Sequence, residues 1–450
     1  MMQANRFKNK LGKLRVADNQ RYIKYDDGTP FFYLADTAWE LFHRLNLEEA
    51  QHYLSNRAAK GFTVIQAVAL AELGGTDVPN ANGDLPLINR DPTKPNEAYF
   101  RHVDDIVQSA EQFGLFIGML PTWGASWKLD GRDTAVFTPE NARIYGRFIG
   151  NRYRENAIIW ILGGDQNIES KEERAIIDAM AVGVKEGDQN AHLITYHPRG
   201  PGRSAEFLHQ AEWLDFNMCQ SSHGAHDHDN GIFIEHDYAL APPLPTVDGE
   251  PRYETMPVGF YYKEVSRFDR FDDYDTRQAA YWAMMAGACG HTYGHNSIWQ
   301  MWTPEHKPAL WANIPWQESL DTPGAFQMGF LRRLFESQSY QELVPDQKLV
   351  VDGPSSGGAK IRAARSSNGT FAFIYSPRGE PFTIDLRMMN ARRVKESWYD
   401  PRYGCTHFLH TTTSTSFQTY TPPTSGRGND WILILEEDKW DGFLLSLLNE

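Results

Sequence analysis

Between Phe31 and Ser337 short apolar runs alternate with segments of helical character, the pattern of βα units built around a parallel sheet. The run Ala157-Ile158-Ile159-Trp160-Ile161-Leu162 has no polar alternate, as expected where helices cover one face of a strand and a barrel interior covers the other. Such runs predict strands at Phe31 to Ala35, Phe62 to Ala69, Leu115 to Leu120, Ala157 to Leu162, His192 to Tyr196, Leu214 to Cys219, Leu244 to Val247 and His291 to Trp299. Eight strands with about eight intervening helices give an α/β fold, a (β/α)8 TIM barrel.

Helix starts are readable between them. Asn46 to Glu49, Ser170 to Glu173 and Asp275 to Gln278 each set a capping oxygen three residues before Glu or Gln, and Thr138-Pro139 puts proline at a first helical position. Gly61, Gly187 and Gly290 stand where three helices are expected to stop.

After Val344 the texture changes to short strand-like segments separated by Gly, Pro and Ser: Lys348 to Val351, Lys360 to Ala364, Thr370 to Tyr375, Phe382 to Leu386, Val394 to Trp398, Phe417 to Tyr420 and Trp431 to Leu435. This reads as a small all-β sandwich, so the predicted domains are a barrel over 1–343 and a sandwich over 344–450. Trp398 and Trp431 are expected to anchor the sandwich on the barrel. Charge divides the same way. Residues 344–450 carry 12 basic and 12 acidic residues, so the whole formal charge of −14 belongs to the first 343.

That acidity argues against nucleic acid and anionic membrane as partners, and no stretch approaches the ~20 apolar residues of a membrane span. Cys219, Cys289 and Cys405 are far apart, lack Cys-x-x-Cys spacing and are expected to be buried free thiols. Met1 to Val16 holds five Lys or Arg and no apolar run. The chain as it stands therefore reads as cytoplasmic, or as periplasmic or secreted if a signal peptide has been removed.

In a barrel of this kind the loops after the strands' C-terminal ends build the active site. Those ends offer Asp36 with Trp39, then Gln66, then Trp123 with Trp127, then Gly163-Gly164-Asp165-Gln166-Asn167. His197, Gln220 with His223, Asp248-Gly249-Glu250, and His295 with Trp299 and Trp302 follow. Strands four and seven face each other across the mouth, so Asp165 and Glu250 can flank one bond. Glycoside hydrolysis needs such a pair, one protonated carboxyl for the leaving oxygen and one ionised carboxylate for the oxocarbenium-like carbon. The two glycines before Asp165 suggest close substrate approach, and the apolar strand beneath, Trp160 included, favours a raised pKa for an acid. Glu250 reads as the nucleophile, with Asp248, Glu235 and Glu254 as competitors and Arg252 as a possible structural ion-pair partner. Five tryptophans at the tips suit stacking on sugar C–H faces, while Asp36, Gln66, Asn167, His197, Gln220, His223 and His295 suit sugar hydroxyls. The partner is thus an oligo- or polysaccharide substrate, and no cofactor is implied.

Two rivals remain. The run Ser222 to Asp229 holds His223, His226, His228, Asp227 and Asp229, a set able to ligate a metal in a metal-dependent hydrolase. The barrel also reads as a non-catalytic sugar binder. The single Gly-x-Ser-x-Gly match, Gly353 to Gly357, lies in the all-β part without a following helix, and phosphate-binding glycine loops are absent.

Taken together, Phe31-Phe32-Tyr33-Leu34-Ala35-Asp36-Thr37-Ala38-Trp39-Glu40, the Gly163 to Asn167 turn and the Asp248 to Glu250 tip resemble the apiosidase-like glycoside hydrolases, family 140. The C-terminal part resembles the β-sandwich, named a collagen-binding domain, that follows their barrel. The likeness runs from about Leu14 to Glu437. It implies a retaining hydrolase related to the clan that includes family 5, with Asp165 as acid/base and Glu250 as nucleophile, acting on plant-type, pectic, apiose-linked chains or a microbial glycan.

Overall fold

The computed structural model describes residues 11–439. The first ten residues of the basic N-terminal stretch and residues 440–450, which the two predicted domain ranges include, lie outside them.

Eight parallel strands form the barrel: β1 (Tyr33–Thr37), β2 (Val64–Val68), β3 (Phe116–Leu120), β4 (Ile158–Gly163), β5 (Ile194–His197), β6 (Asn217–Gln220), β7 (Thr246–Glu250) and β8 (Gly290–Tyr293). Ladder pairing runs β5-β4-β3-β2-β1-β8-β7-β6, with the short strand Gly202–Arg203 added antiparallel beyond β6. The seam between β5 and β6 is bridged by single contacts: Asp215 N–H donates to the Ile194 carbonyl at 2.9 Å and Thr195 Oγ1 to the Phe216 carbonyl at 2.7 Å. Side chains alternate across the sheet, as the period of two requires. Tyr33, Ala35, Val64, Val68, Ile159 and Ile161 fill the interior, while Leu34, Ile65, Ala67, Ile158, Trp160 and Leu162 pack under the helices. Both faces are apolar for different reasons, which is why the runs show no polar alternate.

The boxes at Asn46/Glu49 and Ser170/Glu173 form as predicted, and Thr138-Pro139 opens its helix. Three local expectations are corrected. The helix after β7, Asp273–Met285, is capped by Asp272 with Asp275, three residues earlier than read. Gly187 lies inside the helix Lys171–Asp188, which ends instead on the left-handed Gln189, and a Cβ at Gly187 would meet the Arg147 carbonyl of the neighbouring helix at 2.3 Å. Gly290 begins β8, and Gly287, at φ 104°, ends the preceding helix. The last predicted strand is also too long: β8 stops at Tyr293 and Asn296–Trp299 is a short helix.

The C-terminal residues form two antiparallel sheets, β9 (Leu343–Pro345), β11 (Arg362–Ser366), β12 (Phe371–Ser376), β17 (Trp431–Glu437), β14 (Arg393–Asp400) and β15 (Cys405–Thr413) in one, and β10 (Val350–Asp352), β13 (Phe382–Asp385) and β16 (Phe417–Tyr420) in the other. β15 escapes sequence reading because it is an edge strand whose residues are mostly solvent-facing, so no burial pattern marks it. Cys405, on it, is exposed rather than buried.

Trp398 and Trp431 do not anchor the sandwich to the barrel; they belong to the sandwich's own core. The contact is made by Arg277, which grips Asp430 through Nε at 2.9 Å and Nη2 at 2.6 Å with both groups buried, and by Tyr281 stacked on Tyr375 at 5.0 Å. The His/Asp-rich run contributes too, with Asp229 accepting from Lys360 at 2.8 Å and Arg362 at 2.7 Å. Removing one partner of a buried pair strands the other charge, so Asp430→Ala is expected to cost about 3–5 kcal/mol, read as a lower urea midpoint. A midpoint equal to wild type would show that the docking does not depend on this pair.

Candidate active site

At the C-terminal mouth of the barrel a cavity of about 580 Å³ opens, and Asp165 and Glu250 both line it. Asp165 arrives there through an unusual turn. Gly163, Gly164 and Asp165 have φ of 93°, 88° and 54°, three successive left-handed residues. The glycines serve close packing of the chain against itself rather than approach of substrate: a Cβ on Gly163 would lie 2.4 Å from the His197 carbonyl, and one on Gly164 2.9 Å from the Gly124 nitrogen.

Glu250 ends β7, and two imidazoles hold it. His223 Nε2 is 3.1 Å from Oε1, and His197 Nε2 is 3.0 Å from Oε2. The His197 tautomer follows from its other nitrogen: Nδ1 accepts the Asp165 backbone N–H at 3.2 Å, so the proton sits on Nε2, whose close approach to Glu250 Oε2 is too bent to be a hydrogen bond. The two carboxyls consequently part. Burial pushes Asp165 up to about 7, and the charge of Glu250 acts in the same direction, outweighing His197, Arg199 and Gln220. Glu250 is as deeply buried, which alone would raise it, yet contact with His197 and His223 holds it down to about 2. Trp160 does not take part, since it points into the layer under the helices with its indole N–H on Asp188.

The competitors of Glu250 have other duties. Asp248 accepts from Ser221 at 2.8 Å and Asn230 at 2.9 Å, and Glu254 accepts from the Tyr293 hydroxyl. Glu235 pairs with Arg362 of the sandwich, and Arg252 reaches the His226 carbonyl rather than Glu250.

Among the other tip residues, Trp39, Trp123, Gln220, His223 and Trp299 line the cavity, and His197 lies directly behind Glu250, edge-on to Trp39 at 5.4 Å. The rest are held in the frame. Asp36 is buried in an ion pair with Arg57 at 2.5 Å and accepts from Tyr53 at 2.6 Å. Gln66 ties β2 to Gly249 and Thr292 inside the barrel. Trp127 donates to the Gly163 carbonyl at 2.7 Å, bracing the turn, and Asn167 accepts from the Arg199 N–H at 3.0 Å. His295 caps the helix Asn296–Trp299, and Trp302 donates to the His306 carbonyl. The metal-like run is dispersed: His223 goes to Glu250, His226 to Asp269 and Asp275, and His228 packs beside Phe233. Among the described residues no group of three or more His, Cys, Asp or Glu gathers as a metal site.

Sequence reading missed Glu72, Arg199, Tyr253, Phe260 and Tyr261, which also line the cavity. Glu72 is a third carboxyl there, raised well above the usual range by burial and then by the charges of Asp165, Glu40 and Glu250. It sits in the long loop after β2, where no periodicity marks a functional position. The aromatic run Phe260-Tyr261-Tyr262 was a visible signal for the loop after β7.

A (β/α)8 barrel with two carboxyls and a tryptophan-walled cavity at its C-terminal mouth is the architecture of a glycoside hydrolase. The family profile "Apiosidase-like, catalytic domain" matches residues 17–342, and the profile of a collagen-binding domain of a collagenase matches 344–436. The chain belongs to the apiosidase-like family and is a glycosidase. A solved structure described as a glycoside hydrolase is 32% identical with a TM-score of 0.87, covering 96% of this chain and 98% of that one. A glycoside hydrolase family 5 structure from Bacteroides vulgatus is 30% identical with a TM-score of 0.88, covering 96% and 95%. A further structure from that organism, 14% identical with a TM-score of 0.67 over 96% and 83%, shares the fold. A search of curated proteins gives no match.

The carboxyl pair is expected to titrate in two well-separated steps, near about 2 and about 7, measurable by carbon NMR of labelled side chains. His223→Ala removes one imidazole from Glu250 and should move the lower step upward. A lower step that stays in place would contradict this account of the electrostatics.

Proposed function

We propose that the enzyme cleaves its glycosidic bond with Asp165 as acid/base and Glu250 as nucleophile, retaining anomeric configuration. The observation that carries this reading is the opposite displacement of two carboxyls in one cavity. Between about pH 2 and about pH 7 Asp165 is protonated and Glu250 ionised. Asp165 then gives its proton to the leaving oxygen while Glu250 attacks the anomeric carbon, forming a glycosyl-enzyme ester. Once the leaving group departs, the Asp165 carboxylate takes a proton from water, and that water displaces Glu250. Trp39, Trp123 and Trp299 supply ring faces for the sugar, and the proposed substrate is a pectic, apiose-linked or microbial glycan.

Each role has its own signature. Asp165→Ala should slow turnover by roughly 10²–10⁴ on natural linkages and far less on a 2,4-dinitrophenyl glycoside, whose leaving group needs no proton. Glu250→Ala should abolish both reactions. The pH profile of kcat/KM should fall above about 7 as Asp165 loses its proton, and Asp165→Asn should remove that limb. Proton NMR of the first-formed product reads the stereochemistry, and an inverted anomer would reject the nucleophile assignment. Hydrolysis of pectic polysaccharides tested against microbial glycans decides the substrate.

A further inference from the structure

Glu72 is the third carboxyl of the catalytic cavity, and the roles given to Asp165 and Glu250 leave it without one. It projects from the loop after β2, whose backbone is held on both sides of it. The Leu70 carbonyl accepts the Trp123 N–H at 3.1 Å, and the Leu73 N–H donates to Glu40 Oε1 at 2.9 Å. Glu40 is fixed in turn by His43, whose Nδ1 lies 2.7 Å from its other oxygen. Between these anchors the chain turns tightly: the Gly74 N–H donates to the Glu72 carbonyl at 3.0 Å, and a side chain at Gly75 would collide with the Ala71 nitrogen.

The side chain that this rigid turn delivers is left unpaired. Its carboxyl makes no hydrogen bond or ion pair with any other described residue, although Glu72 lines the same cavity as Trp39, Trp123, Asp165 and Glu250. Its oxygens are not sealed in protein: the residue is partly exposed, so an occupant of the cavity reaches them. Asp248 and Glu254 differ, since hydroxyls and an amide of the frame already donate to them. The charge state of Glu72 also suits a sugar. Burial raises its carboxyl well above the usual range, and the charges of Asp165, Glu40 and Glu250 add to that against Arg44, whose guanidinium donates to the Gln300 carbonyl at 2.6 Å. As the neutral acid it carries a donor and an acceptor, which match two neighbouring ring hydroxyls, and it sets no second anion beside Glu250.

We propose that Glu72 is a substrate-binding residue, hydrogen-bonded to hydroxyls of the sugar whose anomeric carbon meets Glu250. The proposal rests on the reading of Asp165 and Glu250 as the catalytic pair. It gives the cavity a specificity determinant on a preorganised turn, so the enzyme selects sugars by the hydroxyls they place at that wall.

The test measures kcat/KM of Glu72→Ala and Glu72→Gln on a polysaccharide that the wild type cleaves and on the 2,4-dinitrophenyl glycoside of the sugar released. Glu72→Ala should lose roughly tenfold on both, the size of one hydrogen bond, because both place the same sugar in the cavity. Glu72→Gln keeps a donor and an acceptor at the same reach and should stay within about threefold. A series of deoxy aryl glycosides supplies the readout that a structural role would not move: the member lacking the contacted hydroxyl should be cleaved equally by wild type and Glu72→Ala. Glu72→Leu, with melting temperatures throughout, replaces Glu72→Ala if that variant misfolds. Full activity in Glu72→Ala, an equal loss in Glu72→Gln, or one uniform loss across the deoxy series would overturn the proposal. Failure of the underlying reading looks different: an active Glu250→Ala, or an Asp165→Ala that slows both substrates alike, would reject the catalytic pair whatever Glu72 does.

Discussion

The barrel mouth depends on the imidazole of His197. One nitrogen accepts the backbone N–H of Asp165 at 3.2 Å, and the other stands 3.0 Å from the Glu250 carboxylate. A single buried ring thus fixes where the left-handed turn after β4 comes to rest and biases the charge on β7. Because its acceptor nitrogen is occupied by a backbone donor, its proton sits on the nitrogen that stands beside Glu250. Two buried carboxyls in one cavity would otherwise compete for one negative charge. Contact with both His197 and His223 localises the charge on Glu250, while burial and that charge keep the proton on Asp165.

The surrounding structure makes that arrangement rigid. Gly163 and Gly164 allow the turn because backbone atoms of His197 and of the turn at Gly124 occupy the space a side chain would need. Trp127 braces it from beneath through the Gly163 carbonyl, and Trp39 stands edge-on to His197. Behind β7, Asp248 Oδ2 accepts from Ser221 and Asn230, so a second carboxyl two residues from Glu250 faces away from the cavity. The sandwich supports this frame through the helix Asp273–Met285, which follows β7 and carries Arg277.

Much of the fold was legible because it rests on local chemistry. Apolar runs located all eight barrel strands, seven of them to within three residues at each end and the eighth too long at its end, and side-chain caps located helix starts at Asn46, Thr138 and Ser170. Reading failed where tertiary contacts overrode local signals. Gly187 resembled a helix stop but serves close packing of two helices, and β15 has no buried face to create a pattern. At the site, strand-tip position drew attention to Asp165 and Glu250 but equally to Asp36 and His295, which the fold uses for an ion pair and a helix cap. Glu72, Arg199 and Tyr261 enter the cavity from irregular loops, where sequence carries no periodicity to place them.

The sequence by itself determined the barrel, the sandwich after it, the membership of the glycosidase family and the identity of the carboxyls at the tips of β4 and β7. These follow from periodicity, capping and short motifs, which act over a few residues. Only the tertiary structure decided which tip side chains face one another, that the charge rests on Glu250 and the proton on Asp165, and that the His/Asp-rich run is divided between the cavity and the sandwich. Those outcomes depend on distances between residues from separate strands and on how much water burial removes, and neither quantity is written in any local stretch of chain.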